Sequence, residues 1–306
     1  MSEVTVKKVE PEISDREQWL DARRSGIGGS DAAAVLNLSP WKSAYALWCE
    51  KTGLLEREDI SDKEFVEWGN ILEEPIARKY CLVTGRTLID HGRFAIRHHP
   101  EREWMLCTID REISPVDDRG PGDLSIKNTN EFALDDWDEV GGPIHYQVQL
   151  QHELAVIGWQ WASFAVLIGG NKFRWCDVER NDAFIAHLIE HEEEFMERIK
   201  SGDPPPPDGS ASATEALRRL YPRDTGETVK LPDESLTWHE RLVENKAAIK
   251  SAQAEIDEYS NLLRAAIGDA TFGVLPDGKS YSWKWQARAA YSVPAGEMRV
   301  LRRLKK

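Results

Sequence analysis

Apolar and polar positions change their spacing several times along this chain, and each change marks an element. Residues 15–24 put Trp19 and Leu20 on one side of a short helix. After the glycine-rich stretch SGIGGSD, Ser30 or Asp31 is a natural N-cap for a helix through AAAVLNL. A second helix starts around Ser39-Pro40-Trp41 and stops at Gly53, with Trp41, Tyr45 and Trp48 at roughly helical spacing and expected in the core. Residues 65–84 read as a long amphipathic helix carrying Ile71, Ile76, Tyr80 and Val83; Pro75 inside it demands a kink or a later start. Residues 86–99 alternate as strands and are expected at the first edge of a sheet. Next come a strand over residues 105–110, a Pro/Gly/Asp turn over 115–122 and a strand over 123–127. Along that last strand Asp123, Ser125 and Lys127 share one face, while Leu124 and Ile126 point into the core.

Beyond it, residues 128–142 form an acidic loop anchored by Trp137, with Asp135, Asp136, Asp138 and Glu139 in solvent. A helix over residues 145–158 turns Val148, Leu154 and Ile157 inward. WASFAVLI, Gly169-Gly170-Asn171 and FRWCDVER then make a β-hairpin, and a helix follows over residues 181–200. The run of prolines after Asp203 is a stiff linker. Past it the pattern predicts a short helix over residues 213–221 and a long one over 234–267. In the long helix Leu242, Ile249, Ile256 and Leu263 keep the seven-residue spacing of a coiled-coil seam, folded back on the core or paired with another subunit. A last hairpin turns at Asp277-Gly278. The expected organisation is a flexible N-terminus (1–14), a core domain (15–202), a linker and loop (203–233) and an arm with a hairpin (234–306).

At 306 residues the chain can bury one sizeable core and carry an appended element. No apolar run approaches the ~20 residues of a membrane span, so no membrane partner is expected. The first residues lack the apolar segment of a signal peptide, so the chain is expected in the cytoplasm. The four cysteines are scattered without CxxC spacing and read as buried free thiols. A net charge of −14 argues mildly against a nucleic-acid binder. It leaves room for a basic channel inside an acidic shell. The tail MRVLRRLKK is locally basic and, with Trp283, Lys284 and Trp285, suits nucleic acid or is simply solvated.

An acid at the end of one strand, Asp110, and a lysine on its neighbour, Lys127, can hold a divalent cation and steer a water, as metal-assisted phosphodiester hydrolysis requires. The SGIGGSD loop beside Arg23 and Arg24 is either an anion seat or an ordinary helix cap. His98 and His99 are adjacent on a strand and point to opposite faces, so they are read as surface. His152 is read as a hydrogen-bonding helix histidine. His187, Glu190 and His191 match the HxxEH of a metalloprotease family but lack an evident third ligand.

The ID…S-x-K pattern ending at Lys127 resembles the core of the PD-(D/E)xK nucleases. Three further segments narrow the likeness: WLDARRSGIGGSDAAAVLNLSPW, WGNILEEPIARKY and HYQVQLQHELAVIGWQWASFAVLIGG. Together they resemble, in order and across roughly residues 15–200, the YqaJ-like viral recombinases, relatives of phage lambda exonuclease. The resemblance implies an α/β, restriction-endonuclease-like core with a mixed central sheet flanked by helices, followed here by a C-terminal helical arm and a small β-hairpin. It implies Mg2+-dependent (or Mn2+-dependent) 5′→3′ digestion of double-stranded DNA ends. Homotrimeric assembly, a single-strand annealing protein as partner and a bacterial host cytoplasm belong to the same expectation. By resemblance Asp110 and the Ile126 carbonyl bind the metal, and Lys127 orients the attacking water. Glu73 faces the site from one helix and Gln149, with Gln151 as the second choice, from another. Arg23, with Arg24 as the alternative, and Ser30 receive the terminal 5′ phosphate.

The chain departs from the family at one position: Ser125 stands where the metal-binding glutamate belongs. Two readings follow. In one the carboxylate has moved, with Asp123, Glu73 and Glu153 as candidates. Asp123, two residues earlier and ~6.5–7 Å away along the strand, is far for a simple replacement. In the other the site has lost its metal and the protein holds DNA ends without cutting.

Overall fold

The computed structural model describes residues 6–8, 16–137, 141–290, 292 and 298–303. Most of the expected flexible N-terminus, Asp138 and Glu139 of the acidic loop, and residues 304–306 of the basic tail lie outside these residues. In chain order the elements are β1 (Val6–Lys8), α1 (Arg16–Ser25), β2 (Ile27–Gly28), α2 (Gly29–Val35), α3 (Ala44–Lys51) and α4 (Glu64–Thr84). Then follow β3 (Leu88–Asp90), β4 (Arg97–His98), β5 (Met105–Cys107), β6 (Arg111–Ile113), β7 (Gly122–Thr129) and α5 (Ile144–Ile157). The chain continues through β8 (Trp161–Ile168), β9 (Lys172–Glu179), α6 (Asp182–Ser201), α7 (Ala211–Leu220), α8 (Ser235–Ile267), β10 (Phe272–Val274) and β11 (Ser280–Ser282).

A mixed six-stranded sheet in the order β1-β3-β6-β7-β8-β9 carries the fold. β7 and β8 are parallel, with Ser125 opposite Phe164 and Lys127 opposite Val166. Parallel neighbours need a crossover, and α5 supplies it. The pleat of β7 divides its side chains. Leu124 packs with Ile76, Ala77 and Tyr80 of α4 on one side of the sheet. Leu150 and Leu154 of α5 meet Ala162, Phe164 and Val166 on the other. Fully buried side chains such as Leu124, Phe164 and Trp161 each contribute about 1.5–3 kcal/mol on leaving water.

Four expectations are corrected. The strand expected over 105–110 breaks: β5 pairs with β2 and β4 in a separate three-stranded sheet, and only at Arg111 does the chain enter the main sheet as β6. Residues 86–99 do not supply the first edge, because β1 pairs in parallel outside β3. Trp41 is not core; it is 65% exposed, while Tyr45 and Trp48 are buried. Neither Ser30 nor Asp31 is the N-cap of α2: Gly28 holds that place with extended backbone, and Asp31, inside the first turn, accepts from its N–H at 3.3 Å. Helix α4 runs unbroken through Pro75 and ends at Gly85, whose φ of +72° suits glycine.

Contacts divide the chain into two compact units, residues 1–222 and 223–306. In the first, α7 packs Ala216 and Leu217 into the cluster around Trp48, so the stretch after the prolines is structured. The second holds α8 and the β10–β11 hairpin, and none of its described residues is buried. No helix among the described residues is long and apolar enough to cross a membrane.

Candidate active site

Asp110 sits in the short connection between the two sheets. Its carboxylate Oδ2 accepts the backbone N–H of Ile126 at 2.7 Å, which pins it beside β7. Across the β7 face that carries Asp123, Ser125 and Lys127 lies Glu153 of α5. Gln149, one turn earlier, donates its Nε2 to Glu153 Oε1 at 2.9 Å. Asp123 is fully buried, and neither of its carboxylate oxygens has a hydrogen-bond partner. Glu153 lies within hydrogen-bonding reach of it, but two ionised carboxylates share no donor, so the pair needs a proton or a cation between them. Burial pushes the Asp123 carboxyl well above its ordinary range, and the charges of Glu153 and Asp110 push it further. Burial likewise raises Glu153, against the pull of Lys127 and the Gln149 hydrogen bond. The Lys127 ammonium stands 4.9 Å from the centre of the Tyr146 ring.

Glu73 lies near enough to Asp110 for the two charges to act on each other, and burial with that repulsion raises its carboxyl. Arg111, the residue after Asp110, takes the Glu73 carboxylate in an ion pair and also approaches Glu74 at 3.4 Å and Asp90 at 3.8 Å. Glu73 is therefore engaged by a cation that the chain itself supplies.

Next to this cluster is the glycine loop. Arg23, at the end of α1, donates from Nη2 to the Ser30 hydroxyl at 2.5 Å and lies 4.8 Å from the centre of the Trp19 ring. Burial lowers the Arg23 guanidinium from its ordinary value even with Asp31 beside it. Arg24 points elsewhere; it is exposed and pairs with Asp21 at 3.1 Å. Lys51 of α3 holds the loop from beneath, donating to the carbonyls of Arg23 at 2.6 Å and Gly26 at 2.5 Å and to Asp31 at 2.8 Å. Burial would raise Asp31, but Lys51 and Arg23 outweigh it and hold the carboxyl well below the usual range. Lys51 faces one carboxylate and two arginines, so burial leaves its own value lowered. Gly29 touches the acidic cluster: a Cβ there would stand 2.6 Å from Glu153 Oε1. Loop and cluster are in direct contact.

Beside Lys127, Trp41 meets His145 edge-on at 4.6 Å, and Tyr146 stacks on Trp137 at 5.7 Å, so the exposed Trp41 extends an aromatic ledge from the lysine. The other histidines lie apart. His187 is exposed on α6, and the half-buried His191 bonds to its own helix. The rings of His98 and His99 bond to backbone groups of their own loop. His152 is fully buried between Glu192 at 2.8 Å and the Leu106 carbonyl at 3.0 Å. Burial lowers its pKa, but these partners outweigh that and raise it. The four cysteines are free.

Asp110, Asp123 and Glu153 offer hard carboxylate oxygens of the kind Mg2+ and Mn2+ select. The orphaned oxygens of Asp123 call for a positive partner, so the residues fit a divalent cation in kind. As they stand, no three His, Cys, Asp or Glu side chains among the described residues form a group that could hold a metal ion. Lys51 and Arg111 were not singled out by the sequence, and neither carries a local signal. Glu153 does, since it lies four residues after Gln149 and hence on the same side of the helix.

Known proteins resemble this chain along much of its length. Residues 18–160 match the model of the YqaJ-like viral recombinase domain. The uncharacterized protein YqaJ of Bacillus subtilis is 34% identical over 275 residues, which cover 88% of this chain and 83% of that protein. Protein D345L of African swine fever virus is 37% identical over 69 residues, 22% of this chain and 19% of the viral protein. An alkaline exonuclease from Laribacter hongkongensis shares the fold with a TM-score of 0.50 at 20% identity, over 66% of this chain and 96% of its own. The same exonuclease in complex with dAMP superposes with a TM-score of 0.51, at the same identity and coverage.

Proposed function

This chain belongs to the YqaJ-like viral recombinase family, and on that footing we propose that it is a divalent-metal-dependent exonuclease that digests duplex DNA from its 5′ ends. The observation that carries this reading is the close approach of the Arg23–Ser30 loop, at Gly29, to Glu153 of α5, the acid that lies over the Asp123 side of β7. A seat for a terminal phosphate and a set of carboxylates with a lysine then lie side by side, as hydrolysis of the first phosphodiester requires. Arg23 offers a planar, always-charged donor and Ser30 a hydroxyl. Arg24 is the lesser candidate because Asp21 already engages it.

A bound Mg2+ or Mn2+ supplies Lewis-acid polarisation of the scissile phosphate. Asp110, Asp123 and the Ile126 carbonyl are the proposed holders, with Ser125 contributing a neutral oxygen. Lys127 positions the attacking water, Gln149 orients the carboxylate beside it, and Glu73 holds Arg111 next to Asp110. The 3′ single strands left behind suit a single-strand annealing protein as partner. Homotrimeric assembly and the cytoplasm of a bacterial host belong to the same proposal. The test is digestion of linear 5′-phosphorylated duplex with Mg2+, Mn2+ or EDTA, beside Asp110→Ala. Cutting by the native chain alone, and only with metal, supports the reading; equal cutting by Asp110→Ala defeats it.

One observation favours a second reading, a DNA-end binder without hydrolysis: Ser125 is buried at the strand position that normally carries a charge. Retention of duplex ends with a steep salt dependence and indifference to metal supports it.

A further inference from the structure

We propose that Glu153, carried on helix α5, gives the divalent cation the carboxylate that position 125 lacks, and that Glu153 and Asp123 together form a relocated acidic site beside Asp110. The inference rests on the metal-dependent reading above and goes beyond it by assigning the missing ligand to a different element of the fold.

Four features converge. Helix α5 covers the face of β7 on which Ser125 lies, through the packing of Leu150 and Leu154 on β8. Glu153 is 3% exposed, its Oε1 accepts from Gln149, and the lack of a side chain at Gly29 leaves it the room it occupies, since a Cβ there would stand 2.6 Å from that oxygen. Asp123 beside it is completely buried, and both of its carboxylate oxygens lack a partner. A buried carboxylate without a donor costs several kcal/mol and persists where a cation or proton satisfies it. The rival acid, Glu73, is taken by Arg111. The charge missing at position 125 is therefore supplied by a helix rather than by the central strand, and the buried Ser125 leaves its own place neutral.

The experiment is Mn2+ titration of the full-length protein by calorimetry. It compares the native chain with Glu153→Gln, Ser125→Glu and the double variant Ser125→Glu/Glu153→Gln, with thermal unfolding in EDTA as the folding control. Expected is a loss of affinity of roughly tenfold or more for Glu153→Gln, at least the loss that changes outside the ligand shell produce. The double variant is expected to regain most of it. Native-like Mn2+ affinity in folded Glu153→Gln overturns the assignment. So does a folded double variant that stays as weak as Glu153→Gln. If the buried Ser125→Glu change prevents folding, the Glu153→Gln affinity alone decides. DNA digestion is scored separately: a chain that binds Mn2+ through Glu153 yet leaves DNA intact defeats the exonuclease reading and leaves the relocated site standing.

Discussion

Arg23 reaches forward along the chain to donate to Ser30 at 2.5 Å, while Arg24, its neighbour, turns into solvent toward Asp21. The pair separates two adjacent cations by role. Arg23→Ala is expected to lower digestion of 5′-phosphorylated duplex by roughly 10–100-fold, the range for a charge-assisted hydrogen bond. It should also erase any preference over 5′-hydroxyl ends. Arg24→Ala should stay within about twofold. Rates on the two kinds of end decide it, and equal losses in both variants would contradict the assignment.

Lys127 is supported by the Tyr146 ring and adjoins the carboxylates. Lys127→Ala is expected to reduce single-turnover hydrolysis by about 10²–10⁴-fold. Its affinity for duplex ends should change only a few-fold. A comparable drop in affinity, seen in a filter-binding or anisotropy assay, would make Lys127 a DNA contact instead.

Gly29→Ala places a Cβ where Glu153 Oε1 already stands. The expected cost is about 1–3 kcal/mol of stability from overpacking, read from urea unfolding, together with impaired digestion. Native-like stability and rate would mean that loop and cluster do not adjoin.

Asp31 is buried with Lys51 at 2.8 Å, and its folded pKa lies below the unfolded one. Its stabilising contribution is therefore complete above about pH 4 and drains away as the pH falls toward the folded value. Asp31→Asn should cost about 3–5 kcal/mol near neutral pH by leaving Lys51 unpaired. The gap between native and variant should narrow in acid. Urea midpoints at pH 6 and pH 3 test this, and a gap independent of pH would rule it out.

Local pattern was enough for parts of this architecture. The β8–β9 hairpin appears where its apolar runs and Gly169-Gly170 placed it, because both the strands and their turn are written in consecutive residues. The break after Cys107 was hidden, since strands of two or three residues are too short to display a period and their partners lie far along the chain. For the same reason β1, three residues long, could not be told from a polar tail. Asp123 looked badly placed when measured along its own strand. What changes its standing is Glu153, brought over by a helix thirty positions later in the sequence. Arg111 beside Asp110 gave no hint that it would reach across to α4 for Glu73.

Lys51 ties down the carbonyls of Arg23 and Gly26 from a helix that follows both. During synthesis the glycine loop therefore leaves the ribosome before the residue that shapes it. A nascent or truncated chain without α3 has the arginine and the serine but no fixed distance between them. The phosphate seat proposed for this loop thus depends on a helix that lies outside it, and removing the Lys51 ammonium would loosen the seat without touching the arginine or the serine.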